Sequence, residues 1–247
     1  MPLFRRYVAI GDSSTAGLDD PDGKGGYRGW ADRLAARVDE ACPGLLYANL
    51  AVSGKLSREI REEQLDAAVA MRPDLATVFA GSNDILQRRF DAAVVHDEVA
   101  RMQGALRAVG ATVLTFTLPD LRGVMPLGRL LARRVAAMNE ALRDASRATG
   151  AILVDFAALG LGSDRRLWSD DRFHVNAEGH ARIAAALAQA LGLPGADDAW
   201  ARPLPPDGRP GWFSRCCSDV GWIRRHLLRR SPVDARPPKR PLLSPLR

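Results

Sequence analysis

The feature that most constrains this chain is a repeated alternation of short apolar runs with longer amphipathic segments. Runs of strand length lie at 6–10, 46–50, 75–80, 111–116 and 151–155. Segments with helical periodicity lie at 28–41, 58–72, 93–109, 127–148 and 177–191. Such an alternation is typical of β-α units wound around a parallel sheet. The sequence therefore predicts an α/β fold, a three-layer α/β/α sandwich around a five-stranded parallel sheet.

Residues that stop or cap helices mark the ends of these segments. Pro43 and Pro73 follow the first two helices, and Gly110 and Gly150 follow the next two. Proline favours termination just before it, and glycine is common in the left-handed turn that ends a helix. The side chain of Asn176 can accept a backbone hydrogen bond, so it is the expected N-cap of the last helix.

The composition changes from about residue 196. Residues 203–247 contain 9 of the 16 prolines and carry 10 Lys and Arg against 3 Asp and Glu, a net charge of +7. The rest of the chain has 25 Lys and Arg against 26 Asp and Glu, a net charge of −1. We therefore predict a globular domain over 1–195 and a basic, proline-rich tail over 196–247. Within the tail, 212–230 can form one amphipathic helix, whereas 231–247 has a composition typical of disorder.

The charge of the tail bears on the partners of the protein. A nucleic-acid partner would have to depend on the tail alone, so none is expected. For 212–230 two interpretations stay open. Its apolar stripe can make weak peripheral contact with a membrane, or it can pack against the protein's own body or a second subunit. The sequence does not predict an oligomeric state.

Cysteine usage and the N-terminal segment favour a cytoplasmic location. Cys42, Cys216 and Cys217 form an odd set without the spacing of a disulfide framework. The first residues run directly into a strand-like segment without a secretory h-region. No stretch approaches the roughly 18 apolar residues of a membrane-spanning helix.

Two segments supply the residue types of nucleophilic catalysis. Ser13 lies in a Gly-Asp-Ser sequence directly after the first strand, where Gly11 and Gly17 permit a tight turn. Asp171 and His174 lie in the loop before the last helix. A serine hydroxyl is a poor nucleophile unless a neighbouring base removes its proton and a third group orients that base. Taken singly, each segment also fits an ordinary polar turn.

Two further segments follow the second and third strands. Gly54 ends the run Asn-Leu-Ala-Val-Ser-Gly, and Asn83 lies in Gly-Ser-Asn-Asp. Acyl transfer develops negative charge on the carbonyl oxygen, and fixed donors such as a glycine amide or an asparagine side chain stabilise it. Taken singly, Gly54 also fits a helix-entry turn, and Asn83 or Asp84 an N-cap.

Together and in this order, the four segments resemble the SGNH hydrolases, also called GDSL esterases and lipases. The four namesake positions of that superfamily match Ser13, Gly54, Asn83 and His174, and the resemblance covers roughly residues 6–192. It implies a flavodoxin-like α/β/α fold and a serine hydrolase that cleaves small-molecule carboxylic esters. It implies neither a metal nor an organic cofactor.

The resemblance also implies a role for each residue. Ser13 attacks the acyl carbon, His174 removes the serine proton and later returns one to the leaving alcohol, and Asp171 orients the imidazole. The amides of Ser13 and Gly54 and the side chain of Asn83 form the oxyanion hole. Each of these donors is expected to lower the barrier by about 2.7–4 kcal/mol.

Neighbouring residues compete for two of these roles. Asp170 could reach the imidazole in place of Asp171, and Ser14 lies beside Ser13. The motif spacing of the superfamily disfavours both. His180 lies on the last helix, where a packing or capping role explains it better.

The sequence also permits functions other than ester hydrolysis. An acyltransferase can use the same acyl-enzyme, resolved by an alcohol instead of water. A binding or anchoring module could act through the basic tail; a chain ending near residue 196 that keeps activity but loses such binding would distinguish the two. An ordinary α/β-hydrolase is disfavoured because no serine lies in Gly-x-Ser-x-Gly, and neither nucleotide-binding glycine motif is present.

Two loops are the expected walls of the substrate pocket, 119–130 and 157–170. Their apolar side chains are consistent with a small acyl group, so we predict short-chain or acetyl esters as substrates. These side chains belong to Leu121, Val124, Met125, Leu127, Leu159, Leu161, Leu167 and Trp168.

Overall fold

A six-stranded sheet forms the centre of a computed structural model of the chain, which describes residues 4–206, 218–224 and 236–246. The strand order is β5-β4-β3-β1-β2-β6. Five strands run parallel: β1 (Arg6–Gly11), β2 (Leu46–Asn49), β3 (Leu75–Phe79), β4 (Thr112–Phe116) and β5 (Ile152–Val154). The sixth, β6 (Arg240–Pro245), runs antiparallel to β2.

Helices cover both faces of the sheet. They are α1 (Ser13–Ala16), α2 (Gly29–Ala41), α3 (Ser57–Ala70), α4 (Ala92–Ala108), α5 (Gly128–Thr149), α6 (Ala177–Ala190) and α7 (218–224). One core contains Val8 and Ile10 of β1 with side chains of α3, α4 and α5. The other contains Tyr7 and Ala9 with side chains of α2 and α6. Because side chains alternate along a strand, β1 contributes to both cores, and the three-layer architecture follows.

The predicted architecture is confirmed for the body of the chain. Each of the five predicted strands and five predicted helices exists, with ends within two residues of the expected positions. The side chain of Asn176 accepts hydrogen bonds of 3.1 Å from the amides of Glu178 and Gly179, which confirms it as the N-cap of α6.

The prediction of a five-stranded, wholly parallel sheet was wrong, because β6 adds a sixth strand. This strand comes from 231–247, a segment whose composition indicated disorder. Proline removes a backbone donor and is tolerated mainly in edge strands, and β6 is an edge strand that contains Pro241 and Pro245. Beside the strand, Lys239 Nζ donates to the carbonyls of Tyr27 at 3.2 Å and Arg28 at 2.7 Å. Tertiary pairing therefore overrides the local composition.

The predicted helix 212–230 is described only in part. Residues 218–224 are helical, and the remaining positions, including Cys216 and Cys217, lie outside the described residues. Trp222 is fully buried against the body, which agrees with packing of the apolar stripe on the protein itself. Among the helices that the structure describes, none is long and apolar enough to cross a membrane.

Candidate active site

Ser13 lies where β1 passes into the short helix α1, at the carboxyl edge of the sheet. Asp12 caps this helix, because its Oδ1 accepts a hydrogen bond of 3.0 Å from the amide of Ser14. Gly17 ends it in the left-handed conformation, with φ at 90°. Gly29 packs so closely there that a Cβ on it would lie 2.2 Å from the Cα of Gly17. This tight turn leaves Ser13 only 8% exposed at the sheet edge.

Ser13, His174 and Asp171 form a continuous chain of hydrogen bonds. The distance from Ser13 Oγ to His174 Nε2 is 2.8 Å, and that from His174 Nδ1 to Asp171 Oδ2 is 2.6 Å. With the proton on Nδ1 donated to the carboxylate, Nε2 is free to accept the serine proton. The structure thus brings together three residues that the sequence places 161 positions apart at the widest.

The Asp171 carboxylate is held by several donors. Its Oδ1 accepts from the amides of Phe173 at 2.8 Å and His174 at 3.0 Å, and from Ser169 Oγ at 2.6 Å. Burial alone would raise the pKa of Asp171, but these donors and the interaction with His174 outweigh it and hold the pKa well below its usual range. The carboxylate is therefore ionised at neutral pH and fixed in one orientation.

The pKa of His174 is shifted in the opposite direction to that of Asp171. Burial disfavours its charged form, but the hydrogen bond and the charge of Asp171, with smaller contributions from Asp19 and Asp12, raise the pKa above its usual value. A raised pKa strengthens His174 as a base, provided that the pH is high enough to keep it neutral.

A third carboxylate lies close to the same imidazole. Asp19 Oδ2 is 3.9 Å from His174 Nδ1, beyond hydrogen-bond distance. Within the described part of the chain, Asp19, Asp171 and His174 are the one group of side chains spaced closely enough to hold a metal ion. Because Nδ1 already donates to Asp171, a hydrogen-bonded acid–base chain explains the arrangement without a metal.

Gly54 and Asn83 come from loops that contact each other, and the loop of Asn83 also contacts Asp12, the residue before Ser13. Gly54 has φ at 80°, a left-handed conformation that favours glycine. The Asn83 Nδ2 donates to the carbonyl of Lys55 at 3.0 Å and more weakly to Asp12 Oδ2 at 3.4 Å. The side-chain amide of Asn83 is thus held mainly by the loop of Gly54, through the carbonyl of Lys55, and only weakly by Asp12.

Three further polar residues that were not predicted to serve the site organise its loops, namely Asp12, Ser82 and Asp84. Ser82 Oγ donates to Asp12 Oδ2, and burial raises the pKa of Asp12 despite this hydrogen bond. Asp84 accepts from the amide of Ser57 at 2.9 Å and from its Oγ at 2.7 Å, so it caps α3 rather than its own segment. All three adjoin motif residues, but no local pattern indicates partners so distant in the chain.

For both pairs of neighbouring residues, the contacts in the structure agree with the choice that the motif spacing favours. Asp171 contacts His174, whereas Asp170 is exposed. Ser13 contacts His174, whereas Ser14 Oγ accepts a hydrogen bond of 3.3 Å from the indole of a tryptophan in α2.

His180 is a structural histidine, as expected. Its Nδ1 accepts from the amide of Trp30 at 3.1 Å, and its Nε2 donates to the carbonyl of Leu18 at 2.9 Å. Burial lowers the pKa of His180 to about 4, so the side chain is neutral at physiological pH.

The expected pocket walls contribute mainly to the core. Leu127 is partly buried, Leu159 is 38% exposed, and the side chain of Leu161 lies outside the described set. The other five of these side chains are buried in the core that α3, α4 and α5 share: Leu121, Val124, Met125, Leu167 and Trp168.

Comparison with known proteins adds two kinds of similarity. The sequence model of the GDSL-like lipase/acylhydrolase family matches residues 9–182. Among curated protein sequences, no significant match exists.

Solved structures of esterases and lipases have a similar fold. The psychrotrophic esterase EstA from Pseudoalteromonas sp. is 18% identical with a TM-score of 0.60, covering 76% of this chain and 97% of its own. The lipase Lip_vut3 from a goat rumen metagenome is 19% identical with a TM-score of 0.64, covering 78% and 100%. A catalytic mutant of Axe2, an acetylxylan esterase from Geobacillus stearothermophilus, is 16% identical with a TM-score of 0.63, covering 83% and 99%.

Proposed function

Because the chain belongs to the GDSL-like lipase/acylhydrolase family and is a carboxylic ester hydrolase, we propose that it cleaves short-chain esters through an acyl-enzyme on Ser13. The observation that carries this proposal is the unbroken hydrogen-bond chain from Ser13 Oγ through His174 to Asp171, at 2.8 Å and 2.6 Å. Such a chain activates a serine that would otherwise be a weak nucleophile.

In the first half-reaction, Ser13 Oγ forms a bond to the acyl carbon while its proton passes to His174 Nε2. The imidazolium is stabilised by Asp171, whose carboxylate stays ionised. Collapse of the tetrahedral intermediate breaks the bond to the alcohol oxygen, which takes the proton from Nε2. Water then attacks the acyl carbon of the acyl-enzyme while one of its protons passes to His174 Nε2. The bond to Ser13 Oγ breaks as Oγ takes that proton, and the acid is released. His174 thus serves as base and acid in turn.

Negative charge on the tetrahedral oxygen requires donors fixed before the reaction begins. We assign this role to the amides of Ser13 and Gly54 and to the Asn83 side chain. The left-handed backbone at Gly54 and the hydrogen bond from Asn83 to Lys55 support the assignment, because they connect the Asn83 side chain to the loop that carries the Gly54 amide.

Two structural observations and one comparison support a short acyl group. Ser13 is only 8% exposed, so the reacting carbon must enter a confined space. Most of the apolar residues in the flanking loops are buried in the core and do not offer a long open channel. Among the structures of similar fold, Axe2 is an acetylxylan esterase, which acts on a two-carbon acyl group.

The test is hydrolysis of p-nitrophenyl esters from acetate to decanoate by wild type and Ser13→Ala. We expect the rate to be highest for the shortest chains and to fall by about 10⁶-fold in Ser13→Ala, as for other serine hydrolases. Ser14→Ala is the matched control and should keep its activity, because Ser14 Oγ contacts an indole and not His174. Equal rates in wild type and Ser13→Ala would refute the acyl-enzyme, and a maximum at decanoate would refute the short-chain preference.

A further inference from the structure

Helix α7 packs directly on the loop that carries Asp171 and His174. Trp222 of this helix is fully buried, and its indole N–H donates to the backbone carbonyl of Asp171 at 2.8 Å. Its ring lies 5.6 Å from that of Phe173, the residue next to His174. A segment from the far end of the chain therefore contacts the backbone of the acid–base pair.

Arg172, between Asp171 and Phe173, makes the second set of contacts. Its Nη1 forms an ion pair with Asp219 at 2.7 Å, and its Nη2 donates to the carbonyl and hydroxyl oxygens of Ser218 at 3.2 Å and 3.0 Å. The guanidinium also lies 5.6 Å from the ring centre of Trp222. Arg172 is only 2% exposed, so these partners in α7 compensate for burying its charge.

The backbone at Arg172 explains why the loop needs such support. Its φ is 59°, a left-handed conformation that disfavours any residue with a Cβ and persists only when surrounding contacts hold it. This conformation turns the chain so that the amides of Phe173 and His174 both reach the Asp171 carboxylate. Contacts that fix Arg172 therefore also fix the geometry between Asp171 and His174.

We propose that α7 positions Asp171 and His174 by packing on their loop, with Trp222 and Asp219 as positioning residues. The proposal rests on the function proposed above for Asp171 and His174. The family match ends at residue 182, and solved structures matched over 97–100% of their own length cover only 76–83% of this chain. Helix α7 thus lies outside the region that matches the family, and its contacts with the loop are a feature of this chain beyond that region.

The test compares Trp222→Phe and Asp219→Asn with wild type in the full-length protein. Trp222→Phe keeps an aromatic ring but removes the donor to Asp171, and Asp219→Asn removes the charge that pairs with Arg172. Val220→Ala is the matched control, since Val220 lies on the same helix and is 66% exposed. Titration with a fluorophosphonate that reacts with Ser13 gives the concentration of competent enzyme, to which kcat is normalised.

We expect kcat to fall by about 10- to 100-fold in both variants with little change in KM, because a small displacement of the base slows proton transfer without altering ester binding. The acid limb of kcat/KM should also move to lower pH. Groups facing His174 are Asp171 on its own loop, Asp19 and Asp12 near α1, and His180 on α6. Trp222 of α7 donates to the backbone of Asp171, and a weaker contact between Asp171 and His174 lowers the pKa of His174.

Asp219→Glu keeps the ion pair and should restore kcat and the pH limb toward wild type. Wild-type kcat and an unmoved limb in both Trp222→Phe and Asp219→Asn would overturn the proposal. So would a loss that disappears on normalising to titrated sites, because α7 would then only stabilise the fold. Full activity of Ser13→Ala would instead overturn the proposed function, and is measured separately.

Discussion

At the scale of single residues, one carboxylate determines how His174 behaves. Asp171 raises the pKa of His174, and catalysis needs this imidazole neutral, so the acid limb of kcat/KM should lie above about pH 6.5, the ordinary histidine value. In Asp171→Asn the charge that stabilises the imidazolium is lost. We expect kcat to fall by about 10⁴-fold, as in other serine hydrolases, and the acid limb to move to lower pH. The pH dependence of ester hydrolysis measures both effects.

Asp170→Asn is the matched control for this change. It removes the same charge one residue away, on an exposed side chain, and should leave the limb and kcat near wild type. Equal losses in the two variants would contradict the assignment of Asp171, since only a general charge effect would then remain.

At the scale of elements, a lysine beside β6 connects this strand to α2, in addition to its backbone pairing with β2. Lys239 Nζ reaches two carbonyls before α2 and lies 3.0 Å from Asp32 Oδ1 within that helix. We expect Lys239→Met to lower the free energy of unfolding by about 1–2 kcal/mol, because two backbone carbonyls and the Asp32 carboxylate lose their charged donor. Hydrogen exchange of β6 amides should accelerate. Urea unfolding and native-state exchange measure the two effects.

Leu242→Ala serves as the control, because this side chain lies on the same strand and is 72% exposed. It should change the free energy of unfolding by less than about 0.5 kcal/mol. A Lys239→Met protein with wild-type stability and unchanged exchange in β6 would show that backbone pairing with β2 alone holds the strand.

At the scale of the whole molecule, His180 joins three parts of one face. From α6 it contacts the amide of Trp30 in α2 and the carbonyl of Leu18 after α1. Its pKa is lowered to about 4 in the fold, against about 6.5 in an unfolded chain, so the unfolded state binds the proton more readily. Its contribution to stability is therefore complete above about pH 6.5. It declines as the pH falls toward 4, by about 3 kcal/mol in total.

His180→Gln tests this contribution, because glutamine can both accept and donate but does not titrate. The difference in unfolding free energy between variant and wild type should change between pH 7 and pH 4 in favour of the variant. Subtracting the two curves removes the carboxylates and His174, which titrate in both proteins. Parallel curves would show that His180 does not titrate on unfolding.

The alternation of strands and helices was predictable from local patterns, and so were the candidate residues. Apolar periodicity, Pro43, Gly110 and similar stops placed ten elements within two residues of their positions. The spacing of Asp171 and His174 predicted the pair that the structure joins at 2.6 Å. These features depend on interactions within a few residues, or on strand ends that a parallel sheet brings to one edge.

The contributions of the tail were not predictable in the same way. The prolines and charges around β6 indicate disorder, because no interaction within the segment itself favours a strand. The strand forms through pairing with β2. Arg172 pairs with Asp219 across 47 residues and Trp222 donates to Asp171 across 51, and no local pattern indicates such partners. By itself, the sequence determined the sandwich, the edge that carries the site and the residues of the hydrogen-bond chain. Only the tertiary structure decided which distant segment packs on the loop of Asp171 and His174, because long-range packing depends on the whole assembled surface.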